Sequence, residues 1–207
     1  MADTDPTPTP AAPPVRQRPK PGERRVQILQ ALATMLEQPG AERITTAALA
    51  AKLDVSEAAL YRHFASKAQM FEGLIEFIES SVFTLINQIM ERDADAAQKA
   101  ARMVTLVLQF GEKNPGMTRV MVGDALVFEN DRLEQRMNQF FERFESSLRQ
   151  VLREQAQSQS SATPTVDANV QASVLLSFVV GRLQRFARSG YKRLPTEHLD
   201  ASLALLT

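Results

Sequence analysis

This sequence predicts an all-α fold of about nine helices, and three observations predict it. From Arg24 onward apolar residues recur at three- and four-residue steps, and no segment alternates as a strand would. The stretch Ile44 to Lys67, ITTAALAAKLDVSEAALYRHFASK, reads as two short capped helices joined by a tight turn. Two long amphipathic stripes then fill the second half of the chain.

Seven of the eleven prolines (Pro6, Pro8, Pro10, Pro13, Pro14, Pro19 and Pro21) precede Gly22, in a segment otherwise rich in Thr, Ala and Asp. Such composition cannot bury a core, so residues 1–22 are expected to form a disordered arm. Its basic end, Arg16, Arg18 and Lys20, runs into Arg24 and Arg25 and suits either a flexible arm along a DNA groove or a solvated tail. The first helix carries Ile28, Leu29, Leu32, Met35 and Leu36 on one face and is expected to stop at Pro39 and Gly40.

Thr45 or Thr46 then caps a helix over Ala47 to Leu53, Asp54 and Val55 break the pattern, and Ser56 caps a helix through Leu60, Tyr61 and Phe64. Ser66 and Gln69 have capping-box spacing, with Lys67 at the next helix entrance. Helix N-termini present unpaired N–H donors and partial positive charge, which suits phosphate oxygens. Between Arg16 and Lys67 there are nine basic and five acidic residues, so the net charge of zero hides a polarised molecule.

A long helix follows from Lys67 to about Arg92, then one from Ala94 to about Lys113, stopped by Asn114, Pro115 and Gly116. A short helix over Met117 to Val122, a long one from an acidic cap at Asp131 to about Gln157, a linker over Ser158 to Thr165, and a final pair, Val166 to Ser189 and Thr196 to the end, complete the chain. At ~100° per residue, Phe71, Leu74, Ile75, Ile78, Val82, Leu85, Ile86 and Ile89 share one sector of the first long helix. Phe77 projects ~120° from its centre, beside Gly73 and Met70, as either a packing residue or an exposed anchor for a partner protein. Leu133, Met137, Phe140, Phe141, Phe144, Leu148, Val151 and Leu152 form one stripe of the second half, and Val170, Val174, Phe178, Leu183 and Phe186 the other. Pairing two copies into a four-helix bundle is favoured over a monomeric core, with Phe140, Phe144, Leu148, Val174 and Phe178 at the interface.

Val55, Ser56, Leu60, Tyr61, His63, Phe64 and Lys67 resemble the V-S-x-x-x-L-Y-x-H-F pattern and following lysine of the TetR family of helix-turn-helix proteins. The resemblance implies a helix-turn-helix domain over 23–70, with the motif at 45–64, and a helical dimerisation and partner-binding domain over 71–207. It also implies specific palindromic sites on double-stranded DNA, bound by one or two homodimers. The contacts expected there are Arg24, Arg25, Thr45, Thr46, Ser56, Glu57, Ala58, Ala59, Tyr61, Arg62, His63 and Lys67, with Arg62 the residue able to grip guanine bidentately. A second block, FGEKNPGMTRVMVGDALVFENDRLEQRMNQFFERFESSLRQVLRE, is similar to the nucleoid-occlusion branch of that family. This implies antagonism of the tubulin-like division protein FtsZ through its C-terminal tail, with Phe77, Lys113 and Asn114 as contacts. Leu85 and Lys113 stand where that branch carries arginine, and Gln109 where it carries a small residue.

The main rival is a transcriptional repressor released by a small molecule, for which Thr105, Gln109, Gln184 and the methionines Met103, Met117 and Met121 are the scattered pocket candidates. Catalysis is rejected. His63 and His198 are the only histidines, Glu72, Glu76 and Glu79 read as a solvated face rather than a metal site, and there is neither a phosphate loop nor a nucleophile motif. With no cysteine, no ~20-residue apolar span and no signal sequence, the expectation is a soluble cytoplasmic protein without cofactor or metal, and the resemblance implies that it associates with the nucleoid.

Overall fold

The computed structural model describes residues 22–38, 44–91 and 95–206. The expected arm, the Pro39 and Gly40 stop, Arg43 and Arg92 therefore fall outside the described residues. Within them lie nine helices and no strand: α1 Glu23–Leu36, α2 Thr46–Lys52, α3 Glu57–Tyr61, α4 Lys67–Glu91, α5 Ala96–Lys113, α6 Pro115–Met121, α7 Asp131–Ser158, α8 Pro164–Arg188 and α9 Leu199–Leu206.

The head is built by α1 to α3. Ile28, Leu32 and Leu36 of α1 meet Ile44, Leu49, Ala50, Leu60 and Phe64, and the first turns of α4 complete this small core with Met70, Phe71 and Leu74. The turn between α2 and α3 places Asp54 at φ 53°, the left-handed region that Asp tolerates better than most residues with a Cβ. The α4 entrance is held reciprocally: Ser66 Oγ accepts from Gln69 N at 3.2 Å, and Gln69 Oε1 accepts from Ala65 N at 2.8 Å. The reciprocal donor is thus one residue earlier than an ordinary capping box would have it.

Ion pairs align α4 with α7. Glu72 meets Arg132 at 2.7 Å, and Glu79 accepts from Arg136 Nε at 3.0 Å and Nη2 at 2.5 Å. Both sequences ascend together, so the two helices run parallel, away from the head. The bidentate bond to Glu79 is the main reason the Arg136 pKa is raised. Glu72 and Glu79 are therefore helix-to-helix clamps rather than the purely solvated face expected of them. A short linker turns the chain after α7, and α8 packs back along it and returns to the head. There Tyr191 Oη and Arg119 Nη1 both donate to Leu36 O at 3.2 Å, satisfying an end carbonyl of α1. The start of α6 presses on the same helix, since a Cβ on Gly116 would lie 2.2 Å from Ala33 O.

Several boundaries differ from expectation. Pro115 begins α6 instead of only ending α5, because proline's missing N–H costs nothing at the first helical position. Asn130, not Asp131, caps α7, its side chain accepting from Arg132 N at 3.1 Å. The linker is shortened by Pro164 at the head of α8, and Asp167 accepts from the hydroxyls of Ser161 and Thr163. Leu85, placed in the α4 core stripe, is 43% exposed, while Phe83 is buried edge-on against Phe140 with ring centroids 5.3 Å apart. Gly73, on the side of α4 towards Phe77, is covered by α1, where Leu29 stands 3.0 Å from the Gly73 Cβ direction, and Met70 is fully buried. By length and composition α8 would pass as a membrane span, against expectation. Ala168, Ala172, Leu175, Val179, Leu183 and Phe186 are nevertheless buried in the helical core.

Candidate nucleic-acid interface and partner groove

The head brings the beginnings of α2 and α3 together. Thr45 Oγ1 accepts from Ala48 N at 3.1 Å and Ser56 Oγ from Ala59 N at 3.3 Å, so each helix is capped by its predicted hydroxyl. A further bond ties the two helices: Thr46 Oγ1 donates to Glu57 Oε2 at 2.5 Å. One carboxylate oxygen of Glu57 is thus engaged within the head. Ala58, Tyr61, Arg62 and His63 are exposed, Tyr61 at 45%, and Ala59 is half-buried. Arg62 follows the last residue of α3 as its C-cap, on the flank of the helix rather than at its start.

Two proposed DNA contacts are engaged elsewhere. The Arg25 guanidinium donates to His63 O at 3.0 Å and lies 4.1 Å from the Phe64 ring centre, so it braces the end of α3. The Lys67 ammonium pairs with Glu129 in the loop before α7 and sits 5.6 Å from the Phe71 ring, joining head to bundle. Lys67 is thus not a free cation, and a phosphate would have to compete with Glu129 for it. Arg24 donates to Gln27 Oε1 at 3.1 Å along α1.

Behind the reading helices, a groove of about 590 Å³ runs between head and bundle. One wall is α1, with Val26, Leu29, Gln30, Ala33 and Thr34; the other is Leu74 and Phe77 of α4 with Asn114 and Met117. Phe77 is 48% exposed, with its ring centre 6.3 Å from that of Phe110. Asn114 donates through Nδ2 to Phe110 O at 2.8 Å, which fixes the corner between α5 and α6. Lys113 stands exposed beside it. The α1 wall has no signal in the sequence, because no spacing tells which distant helix faces Phe77.

The expected dimer residues divide. Phe140, Phe144 and Leu148 are buried inside the single chain, so they belong to its own core and are withdrawn from the interface. The α7 stripe is consumed by α8, α5 and α4, which leaves its buried residues with nothing to offer a second copy. Phe178 is half-buried under Arg182, whose guanidinium is 4.8 Å from its ring centre. Val174 remains exposed, and with Val166 and Val170 (61% exposed) it forms an outward stripe at four-residue steps along α8. The small-molecule candidates do not converge. Thr105 and Gln109 line one surface cleft with His198, and Gln184 lines another near Arg188.

Residues 28–74 match the family model for bacterial regulatory proteins of the tetR family, and residues 95–207 match the SlmA-like tetracyclin repressor C-terminal domain. Solved structures of the same fold include the fatty acid degradation regulator FadR from Bacillus halodurans, at TM-score 0.74 and 16% identity over 91% of this chain and 96% of that one. The TetR family regulator PfmR from Thermus thermophilus gives 0.70 and 23% over 87% and 96%. Sequence similarity is far closer to the nucleoid occlusion factors SlmA. The protein of Vibrio cholerae is 55% identical over 89% of this chain and 94% of its own length, and that of Idiomarina loihiensis 54% over 86% and 90%. Identity at this level, spread over head and bundle alike, means that the chain belongs to the SlmA family of nucleoid occlusion factors, a branch of the TetR-type regulators.

Proposed function

We propose that this protein is a DNA-associated inhibitor of cell division. It binds specific chromosomal sites as a homodimer, through Thr45, Ser56, Ala58, Tyr61, Arg62 and His63 of the head. In that state it antagonises assembly of FtsZ over the nucleoid, so that it acts in the cytoplasm on the nucleoid. The second copy packs on the outward Val166, Val170 and Val174 stripe of α8, an apolar face without a cover in the single chain. The domain division at about residue 70 follows the same reading, with α4 serving both parts.

The observation that carries the FtsZ assignment is the groove. A half-exposed aromatic, Phe77, shares it with Asn114 beside exposed Lys113, and its floor is apolar. That combination suits a short apolar segment of a partner tail, with hydrogen bonds and a positive charge at one end. Lys113 supplies charge without the bidentate fork of arginine, and Leu85 supplies none. The groove opens to solvent between head and bundle, whereas a small-molecule repressor relies on convergent polar groups around a buried ligand.

Phe77→Ala tests the reading. Removing a half-buried phenyl forfeits roughly 100 Å² of apolar burial, or about 2.5 kcal/mol of stability. The variant should fold and bind DNA normally, yet lose binding to an FtsZ C-terminal peptide and no longer lower light scattering by FtsZ polymers. Normal peptide binding by a stable, DNA-competent variant removes the groove from the partner site. If the unmodified protein on its DNA leaves FtsZ assembly untouched, the repressor reading takes its place.

A further inference from the structure

The reading helix begins with a carboxylate, on a surface that has to approach phosphate. Its first three residues are Glu57, Ala58 and Ala59, and Arg62 stands past its last turn as the C-cap. In a helix-turn-helix, residues at the start of the second helix are the ones that reach base edges. Two of the three here are alanines, whose methyl groups offer a base apolar contact only. Glu57 is therefore the one side chain of that first turn able to read a base by hydrogen bonding.

Its carboxylate is held in advance. Thr46 and Glu57 are the first residues of α2 and α3, and the turn between these helices, closed by Val55 N donating to Ala50 O at 3.1 Å, brings the two together. Thr46 is half-buried, and its Oγ1 donates to Glu57 Oε2 at 2.5 Å. Glu57 is exposed and holds no ion pair among the described residues. The helix does not need this carboxylate as a cap, since Ser56 Oγ already accepts from Ala59 N at 3.3 Å. One oxygen is thus fixed and the other, Oε1, stays open to a donor. A loose glutamate loses rotamer freedom when it meets a base, and the bond from Thr46 removes much of that freedom beforehand.

The chemistry of the group indicates the base. An ionised carboxylate only accepts, so guanine, with N7 and O6, and thymine, with O4, repel it in the major groove. Adenine sets the acceptor N7 beside its N6 amine, whereas cytosine presents the N4 amine alone. We infer that Glu57, positioned by Thr46, is a specificity-determining residue that accepts from cytosine N4 in each half-site. Its charge opposes the phosphate backbone wherever that amine is missing, so the same group weakens binding to unmatched DNA. This rests on the DNA-binding reading above and adds to it the base pair, C·G, that the start of α3 selects.

The test takes a duplex that the unmodified full-length protein selects from a random pool and measures affinity for every single base-pair variant of its half-site. One position should prefer C·G by about five- to tenfold. Glu57→Ala should erase that preference alone and bind a random duplex more tightly. Glu57→Gln keeps an acceptor for Thr46 and should move the preference toward A·T, because an amide pairs with adenine N6 and N7 together. It also serves alone if the alanine variant melts early. Thr46→Val should weaken the preference and Thr46→Ser restore it, with thermal melts run on every variant. An unchanged ranking in Glu57→Ala, a uniform fall on all duplexes, or loss of preference for a different base pair makes Glu57 a mere tie between helices and overturns the inference. Full preference in Thr46→Val overturns the positioning role of Thr46. If the unmodified protein selects no sequence at all, the underlying DNA-binding reading fails instead.

Discussion

Gly116→Ala is the most demanding perturbation of the joint between head and bundle. The added methyl carbon would sit 2.2 Å from Ala33 O and 3.1 Å from Ala33 C. Ordinary contact begins near 3.4 Å, so α6 and α1 must part by about 1 Å, and backbone cannot rotate away as a side chain can. Overpacking of this kind costs about 1–3 kcal/mol, while better helix propensity returns less than about 1. The clash wins, with a net loss near 2 kcal/mol, or roughly 4–8 °C in Tm for a chain of this size. The groove wall formed by α1 shifts with the joint, so binding of an FtsZ peptide should fall further than binding of DNA. Differential scanning calorimetry and the two titrations on one preparation give the answer. Glu37→Ala in the same background separates the causes, since Glu37 Cγ also lies 3.3 Å from that methyl. A neutral Gly116→Ala, or full rescue by trimming Glu37, refutes the backbone contact.

Three other perturbations give equally definite outcomes. Thr45→Ala deletes the bond from Ala48 N and should cost about 1 kcal/mol; gel shifts should show weaker binding to operator and scrambled DNA alike, and unchanged binding removes Thr45 from the contacts. Arg62→Ala should flatten the ranking of operator variants by about 1–3 kcal/mol at one base pair, whereas an equal fall on every variant makes Arg62 a phosphate contact. Burial raises the pKa of Tyr191, with Arg119 partly opposing it. The folded state holds that proton more tightly, so the stability from this phenol is complete below the ordinary tyrosine range and lost as pH rises through the folded value. In a Tyr61→Phe background, an absorbance titration with its midpoint at or below that of free tyrosine contradicts this.

Local chemistry made much of the molecule legible. Thr45, Ser56 and Ser66 announce their helices because a cap is a contact between near neighbours. The off-stripe position of Phe77 was likewise readable from the helical repeat. What failed were inferences about which distant surface covers a given residue. Phe140, Phe144 and Leu148 are as apolar as a dimer face must be, yet their own chain buries them. Val166, Val170 and Val174, proposed in their place, lie on the same helix as fully buried residues, and only packing separates the two faces. Lys67 looked free because Glu129, its partner, is 62 residues away. Leu85 reads as core by angle alone and is exposed because the chain supplies no neighbour there.

The double duty of α1 has a thermodynamic consequence. One helix carries the reading head on one side and walls the groove on the other, and its last turn is fastened by Gly116, Arg119 and Tyr191. If binding DNA tilts that helix, the width available to the proposed partner in the groove changes, and the two equilibria then share a free energy. Linkage is symmetrical: if DNA strengthens the grip on the partner tenfold, the partner strengthens the grip on DNA by the same factor, about 1.4 kcal/mol of added affinity. A division protein caught at the chromosome would thereby hold its own captor in place.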